Sequence, residues 1–296
     1  MQNLHGQLIE NAELAEYSSW QVGGPAQRLY KPADSDDLIN FIKQLPVAEP
    51  LIFLGLGSNT LVRDAGINGT VIITQGALKK LKLVDSVTLY AEAGVASPAF
   101  ARFAARKNLT GAEFLAGIPG TIGGALVMNA GCSGWETWNI VKSVITINRQ
   151  GEKRVRFPQE YKIAYRSVSV FPDEYYLAAN FELKPGAKEE SLAKIRSLLK
   201  HRAATQPTNE PNCGSVFRNP PGDYAARLIE SCGLKGLKIG NAMVSTKHAN
   251  FIINEGHATA ADIESLIEKV AATVFQVHHI QLIREVRIIG KAFNTS

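Results

Sequence analysis

Apolar positions along the chain change period several times, and each change marks an element. "ADSDDLINFIKQL" places Leu38, Ile42 and Leu45 at helical spacing behind a polar start, which predicts a short helix. "LIFLG" (51–55), "GTVIIT" (69–74) and "SVTLYAEAG" (86–94) read as strands, the first of them buried. Ser97-Pro98 reads as a helix start, with Ser97 as the cap; "AFARFAARKN" carries that helix and Asn108 stops it. "SVITINRQGEKRVRF" predicts a hairpin turning at Gly151, and "YYLAANFELKPG" another strand. Leu192, Ile195, Leu198 and Leu199 define an amphipathic helix ending before Gln206-Pro207. "DYAARLIESCG" predicts a further helix, with Gly233 just past its end. Thr259 and Asp262 form a capping-box start for a helix that turns Ile263, Leu266, Ile267, Val270 and Val274 to one face. "IQLIREVRIIG" reads as a closing strand, with Ile283, Glu285 and Arg287 on one side.

Strands and helices are mixed without regular βαβ alternation, so the fold class expected is α+β, in two or three layered subdomains. Lys184-Pro185-Gly186 marks a plausible boundary.

Composition narrows the class. The chain has 296 residues, 45% apolar and 20% charged, as in ordinary globular proteins. No apolar run is long enough to cross a membrane, and the start "MQNLHGQLIENAEL" lacks the pattern of a secretory signal. Cys132, Cys213 and Cys232 fit a reducing cytoplasm, and their spacing offers no metal site. A net charge of +5 without a basic run argues against nucleic acid and suits a phosphorylated small ligand.

Two glycine passages stand out. "GLGSN" (55–59) follows a strand, but the third glycine of a dinucleotide fingerprint is replaced by Thr60 and no helix follows. It is either a simple strand-ending turn or a nest of N–H groups able to hold a diphosphate. "GIPGTIGGALVMNAG" (117–131) lets backbone approach a flat ligand, or is a packed glycine turn. Together they favour a large dinucleotide cofactor.

The chemistry-bearing candidates are Arg166 beside Tyr165, Glu285 in the closing strand, and Ser215 in "NCGSVFRNP". Cys213 and Phe217 stand where a G-x-S-x-G elbow needs glycine, so Ser215 is not read as an acyl-transfer nucleophile. Glu285 and Arg287 also suit a same-face ion pair.

"VGGPA", "GLGSNTLVRD", "GIPGTIGGALVMNAG", "YRSV", "GSVFRNP", "AARLIESCGLKG", "HANFIIN" and "REVRIIG" occur in the order of one family. From about residue 18 to 290 the chain resembles the bacterial UDP-N-acetylenolpyruvoylglucosamine reductases, flavoenzymes of peptidoglycan synthesis. The resemblance implies an N-terminal segment (1–17) and an FAD-binding domain of the vanillyl-alcohol-oxidase type (18–186, subdomains about 18–76 and 77–186). It also implies a C-terminal α+β substrate-binding domain (187–296). Nine residues between Ser215 and Ala225 leave no room for a tyrosine-bearing lid loop, as in the shorter subclass. NADPH would be the electron donor, the enolpyruvyl UDP-sugar the substrate, and the cytoplasm the location.

Residue by residue, the resemblance implies Arg166, Ser215 and Glu285 as the catalytic set, with Ser215 the proton donor. FAD contacts would come from Gly55, Gly57, Ser58, Asn59, Thr60 and Leu61. Gly94, Gly117, Ile118, Pro119, Gly120, Thr121, Gly123, Gly124 and Asn129 would complete them. Tyr165, Arg202, Asn219, Arg227 and His248 would face the substrate. Trp20, Cys213 and "GCSGW" depart from the usual pattern without removing a catalytic group. The alternatives are a different FAD-dependent oxidoreductase on the same fold and a non-catalytic nucleotide-sugar binder.

Overall fold

The computed structural model describes residues 4–293; the extreme ends of the expected segments 1–17 and 187–296 lie outside the described residues. It forms two compact units threaded through each other in sequence. The first comprises residues 1–9, 28–56 and 69–201, and the second 10–27, 57–68 and 202–296.

In the first unit, helix α1 (Ser35–Lys43) is capped by Asp34, whose carboxylate accepts from the N–H groups of Asp36 and Asp37. Its apolar face, Leu38, Phe41 and Ile42, packs with Tyr30, Ile72 and Leu177 into one core. Strand Leu51–Leu54 pairs in parallel with Thr70–Ile73. A second core gathers on a five-stranded antiparallel sheet, in which Val141–Asn148 lies between Lys153–Arg156 and Glu174–Glu182. The predicted hairpin is there, with Gly151 at a φ of +76° that favours glycine. Helix α2 (Ser97–Arg106) ends as expected at Asn108, which is left-handed. Its cap is Ala96, not Ser97. Ala96 bridges Thr121 and the Ser97 N–H donates to Gly120, so a backbone pairing starts the helix and Ser97 is simply buried within it. Helices α3 (Ile122–Met128) and α4 (Lys188–Thr205) follow, and α4 turns Ile195 into the core.

In the second unit, helix α5 (Ala225–Ser231) is shorter than "DYAARLIESCG" suggests, with left-handed Gly233 past its end. Helix α6 (Ala260–His278) starts with the predicted reciprocal cap between Thr259 and Asp262. Ile263, Leu266, Ile267, Val270 and Val274 are buried, each contributing about 1.5–3 kcal/mol. The segment "LVRD" fixes α6 from outside: Arg63 makes a two-pronged ion pair with Glu264, and Asp64 accepts from the N–H groups of Ala260 and Ala261.

The closing strand is confined to Arg287–Ile289, which pairs in parallel with Thr60–Val62. Upstream of it, residues 283–286 bond to the loop around Val216 instead of a ladder. The expected burial alternation holds only in part: Leu282 and Val286 are buried and Ile283 and Arg287 exposed, but Glu285 and Ile288, expected on opposite faces, are both half-buried.

Candidate functional site

In the first unit the two glycine passages meet. Gly55, at the end of strand Leu51–Leu54, lies against Thr121 so closely that a Cβ there would be 2.4 Å from Thr121 Oγ1. Gly117, Ile118, Pro119 and Gly120 run half-buried beside it, and Gly124 is exposed. Gly55, Gly117 and Gly120 leave backbone uncovered by side chains of their own, which suits a flat, phosphate-bearing group, so these residues fit a dinucleotide. Gly94 and Gly123 are close-packed against the protein on their Cβ side as well. A Cβ on Gly94 would be 1.9 Å from the Thr74 carbonyl, and Gly123 abuts Ala93.

Tyr165 and Arg166 form the two-residue tip of a small hairpin, Ile163–Ala164 with Ser167–Val168. Arg166 is left-handed, at φ +53°. Such a conformation is uncommon for a long side chain and collects at functional positions. Its guanidinium lies 5.0 Å from the Tyr165 ring centre and donates to the carbonyls of Gly131 (2.8 Å) and Asn129 (3.4 Å). Asn129 is fully buried, and its amide bonds to Glu136, Ala164 and Trp138.

In the second unit, Ser58 and Asn59 follow Gly57, and the chain enters a strand at Thr60 and Leu61, not a helix. That is why no Rossmann-type fingerprint exists here. Gly57 has φ +66°, and a Cβ would be 2.1 Å from the Tyr17 carbonyl. Asn59 Nδ2 donates to the Glu285 carbonyl (3.2 Å), and Arg287 N–H donates to the Asn59 carbonyl. Ser215 is half-buried, after left-handed Gly214. Its neighbours are held on both sides. Val216 accepts from Glu285 and donates to Asn250, while Phe217 exchanges both its backbone bonds with the Asn250 amide. Glu285 is thereby tied both to the Asn59 side chain and to Val216, the residue after Ser215.

Four of the substrate candidates, Arg202, Asn219, Arg227 and His248, lie in this unit. Asn219 Oδ1 accepts from the Ala225 N–H, giving α5 the cap that Tyr224 lacks. Arg227, one turn into α5, is exposed and paired with Asp223; the hydrogen bonds from its guanidinium hold the Asp223 carboxyl down at about 2. His248 packs edge-on to Phe251 at 4.7 Å, and its Nδ1 accepts from the Asn250 N–H. Burial pushes the imidazole below its ordinary range, which favours the neutral ring. Arg202, in the last turn of α4, donates to Gln206.

Sequence reasoning did not single out Asn250 or Glu136. The first lay inside "HANFIIN", and the second directly follows "GCSGW". Their importance comes from contacts 33 and 7 residues distant, which no local pattern encodes.

The FAD binding domain family matches residues 26–155. The C-terminal domain of UDP-N-acetylenolpyruvoylglucosamine reductase matches residues 206–289. A UDP-N-acetylenolpyruvoylglucosamine reductase of Legionella pneumophila (strain Corby) is 62% identical over 288 residues, spanning 97% of this chain and 94% of that protein. The chain belongs to the UDP-N-acetylenolpyruvoylglucosamine reductase family. A family member from Coxiella burnetii (strain RSA 331 / Henzerling II) is 51% identical over 98% of both chains. The crystal structure of the reductase from Thermus caldophilus superimposes with a TM-score of 0.83 at 32% identity, covering 97% of this chain and 99% of that one. The α+β class and the combination of an FAD-binding domain with the family's own C-terminal domain thus agree with the sequence reading. Among the described residues no helix is long and apolar enough to cross a membrane.

Proposed function

We propose that this reductase converts UDP-N-acetylglucosamine enolpyruvate to UDP-N-acetylmuramate for peptidoglycan synthesis, with NADPH as electron donor and FAD as bound carrier. The observation that carries this is 62% identity to a reductase of that name over nearly the whole chain. The FAD-binding region is assigned to 18–186 and the substrate-binding region to 187–296, in keeping with the family matches at 26–155 and 206–289. The assignment to the cytoplasm rests on the chemistry, since NADPH and nucleotide sugars are its reactants.

Gly55, Gly117, Ile118, Pro119 and Gly120 would hold the cofactor through backbone, and Ser58 and Asn59, of the same glycine passage as Gly55, would add side-chain contacts. FAD held there would supply hydride-transfer chemistry between NADPH and C3 of the enolpyruvyl group. Arg166 opposes the negative charge that then builds at C2 and the carboxylate, using its planar fork of donors. Glu285 would act as a protonated, hydrogen-bond-donating carboxyl, because an ionised one would repel the developing charge. Ser215 gives its hydroxyl proton to C2. A neutral hydroxyl is acid enough against so basic a carbon when it is close and oriented. Tyr165, Arg202, Asn219, Arg227 and His248 bind the remainder of the nucleotide sugar.

The absorption spectrum tests the reading. The purified protein should show oxidised-flavin bands that NADPH bleaches and the enolpyruvyl UDP-sugar restores without oxygen. A colourless protein that FAD does not reconstitute would leave only a nucleotide-sugar binder. Bleaching without restoration by that sugar would point to an oxidoreductase with another substrate.

A further inference from the structure

Arg166 is held at two points by one buried residue. The amide nitrogen of Asn129 donates to the carbonyl of Ala164 at 3.1 Å, at the root of the hairpin that carries Arg166. The carbonyl of the same Asn129 accepts from Arg166 Nη1, and Nη2 donates to the carbonyl of Gly131 two residues on. Root and head of the arginine are therefore referred to one three-residue segment. That segment is itself pinned. Asn129 Nδ2 donates to Glu136 Oε2 at 2.7 Å, and Oδ1 accepts from the Trp138 N–H at 3.1 Å. Glu136 lies directly across a short antiparallel pair from Gly131. Gly131 has no space for a side chain: a Cβ would be 2.4 Å from the Trp135 carbonyl and 3.0 Å from Arg166 Nη1.

The backbone geometry fits the same arrangement. Asn129 caps α3 in the left-handed region (φ +43°, ψ +50°), which asparagine tolerates better than most residues and which aims its amide back at the hairpin. Arg166 is left-handed as well. A long side chain keeps such a conformation only where its surroundings fix it. An uncharged asparagine alone would hold the Ala164 carbonyl weakly. The Glu136 carboxylate makes one of its bonds charge-assisted, and so fixes which way the amide faces.

We propose that Asn129 and Glu136 are positioning residues for substrate reduction, setting the direction in which the Arg166 guanidinium meets the substrate carboxylate. The inference rests on the reading of Arg166 given above. Its effect is on geometry at the developing charge, where a misplacement near 1 Å costs roughly 100-fold.

The test separates the two half-reactions by stopped flow on the flavin-loaded protein. Glu136→Gln leaves the amide of Asn129 without its charged partner. Asn129→Gly keeps the left-handed cap and removes the amide. Each should lower reoxidation of the reduced flavin by the enolpyruvyl UDP-sugar by about 10- to 100-fold relative to reduction by NADPH. In an Arg166→Ala background, the same substitutions should change the reoxidation rate less than twofold, because the group they aim is gone. A purely structural role would add its full loss there, and that result would overturn the proposal. Equal loss in both half-reactions of the single variants would overturn it too. If Asn129→Gly does not fold around flavin, Glu136→Gln alone decides by the same two readouts. Should Arg166→Ala itself leave reoxidation intact, the assignment of Arg166 fails first, an outcome distinct from failure of its positioning.

Discussion

The backbone N–H of Glu285 donates to the carbonyl of Val216 at 2.8 Å. Ser215 and Glu285 are 70 residues apart in sequence, yet Glu285 bonds directly to the residue that follows Ser215. The serine's placement thus depends on the segment that carries the glutamate. Because the proposed task of Ser215 is protonation at C2, Ser215→Ala should leave NADPH-to-flavin reduction within about twofold and lower reoxidation by substrate by at least about 100-fold. Ser215→Cys should retain part of the rate, since a thiol also donates. Stopped-flow absorbance resolves the two phases. Equal loss in both would remove Ser215 from the protonation step.

Asn250 clamps the other side of that loop. Its side chain accepts from the Phe217 N–H at 3.0 Å and donates to the Phe217 carbonyl at 2.8 Å, and all these groups are buried. Asn250→Ala leaves both backbone groups without their partner, at a cost of about 2–4 kcal/mol. Urea unfolding should show it. A loss below about 0.5 kcal/mol would mean that the loop finds other partners.

The parts of the fold that were legible in sequence are those that local physics decides. The α6 cap needed only Thr259 and Asp262 three residues apart, and the 141–156 hairpin needed a glycine between two apolar runs. The replacement of Gly by Thr60 correctly excluded a Rossmann turn, because Thr60 begins a strand. Ser97 misled because a strong capping residue lost to the backbone pairing of Ala96 with Thr121. The closing strand was too long in the sequence reading because its first half spends its hydrogen bonds on the loop at 216–218, a partner that alternation does not reveal. Placement of residues 10–27 and 57–68 with the C-terminal unit was invisible for the same reason. The candidate residues themselves were legible only through the family pattern. The asparagines that fix their backbones, Asn129 and Asn250, act through long-range contacts.

Cys213 lies two residues before Ser215, so its oxidation would disturb the proposed proton donor. The thiol is buried, donates to the Gly57 carbonyl at 3.2 Å, and is pushed up to about 12 by burial. A thiol reacts through its thiolate, so Cys213 should be inert in the folded protein. Iodoacetamide at pH 8 should label half-buried Cys132 first, and Cys213 only after denaturation, as read by peptide mass. Labelling of Cys213 at the rate of Cys132 in the native protein would contradict this.

Asp37 gives the clearest acid-side dependence. Burial works against its charge, but hydrogen bonds from the His5 N–H, the Tyr30 hydroxyl and the Ala33 N–H outweigh it and hold the carboxyl below its ordinary value of 3.8. The unfolded chain therefore takes up the proton first as pH falls. The stabilisation is fully present above about pH 5 and declines as pH drops through 3.8 toward the lower folded value. Glu113, Glu174 and Glu264 are depressed as well and act with the same sign. Asp37→Asn should lower stability at pH 7, where the charged partner is lost, and shrink the difference in urea midpoint between pH 7 and pH 3. An unchanged difference would show that Asp37 is not a source of the acid sensitivity and that other depressed carboxyls carry it.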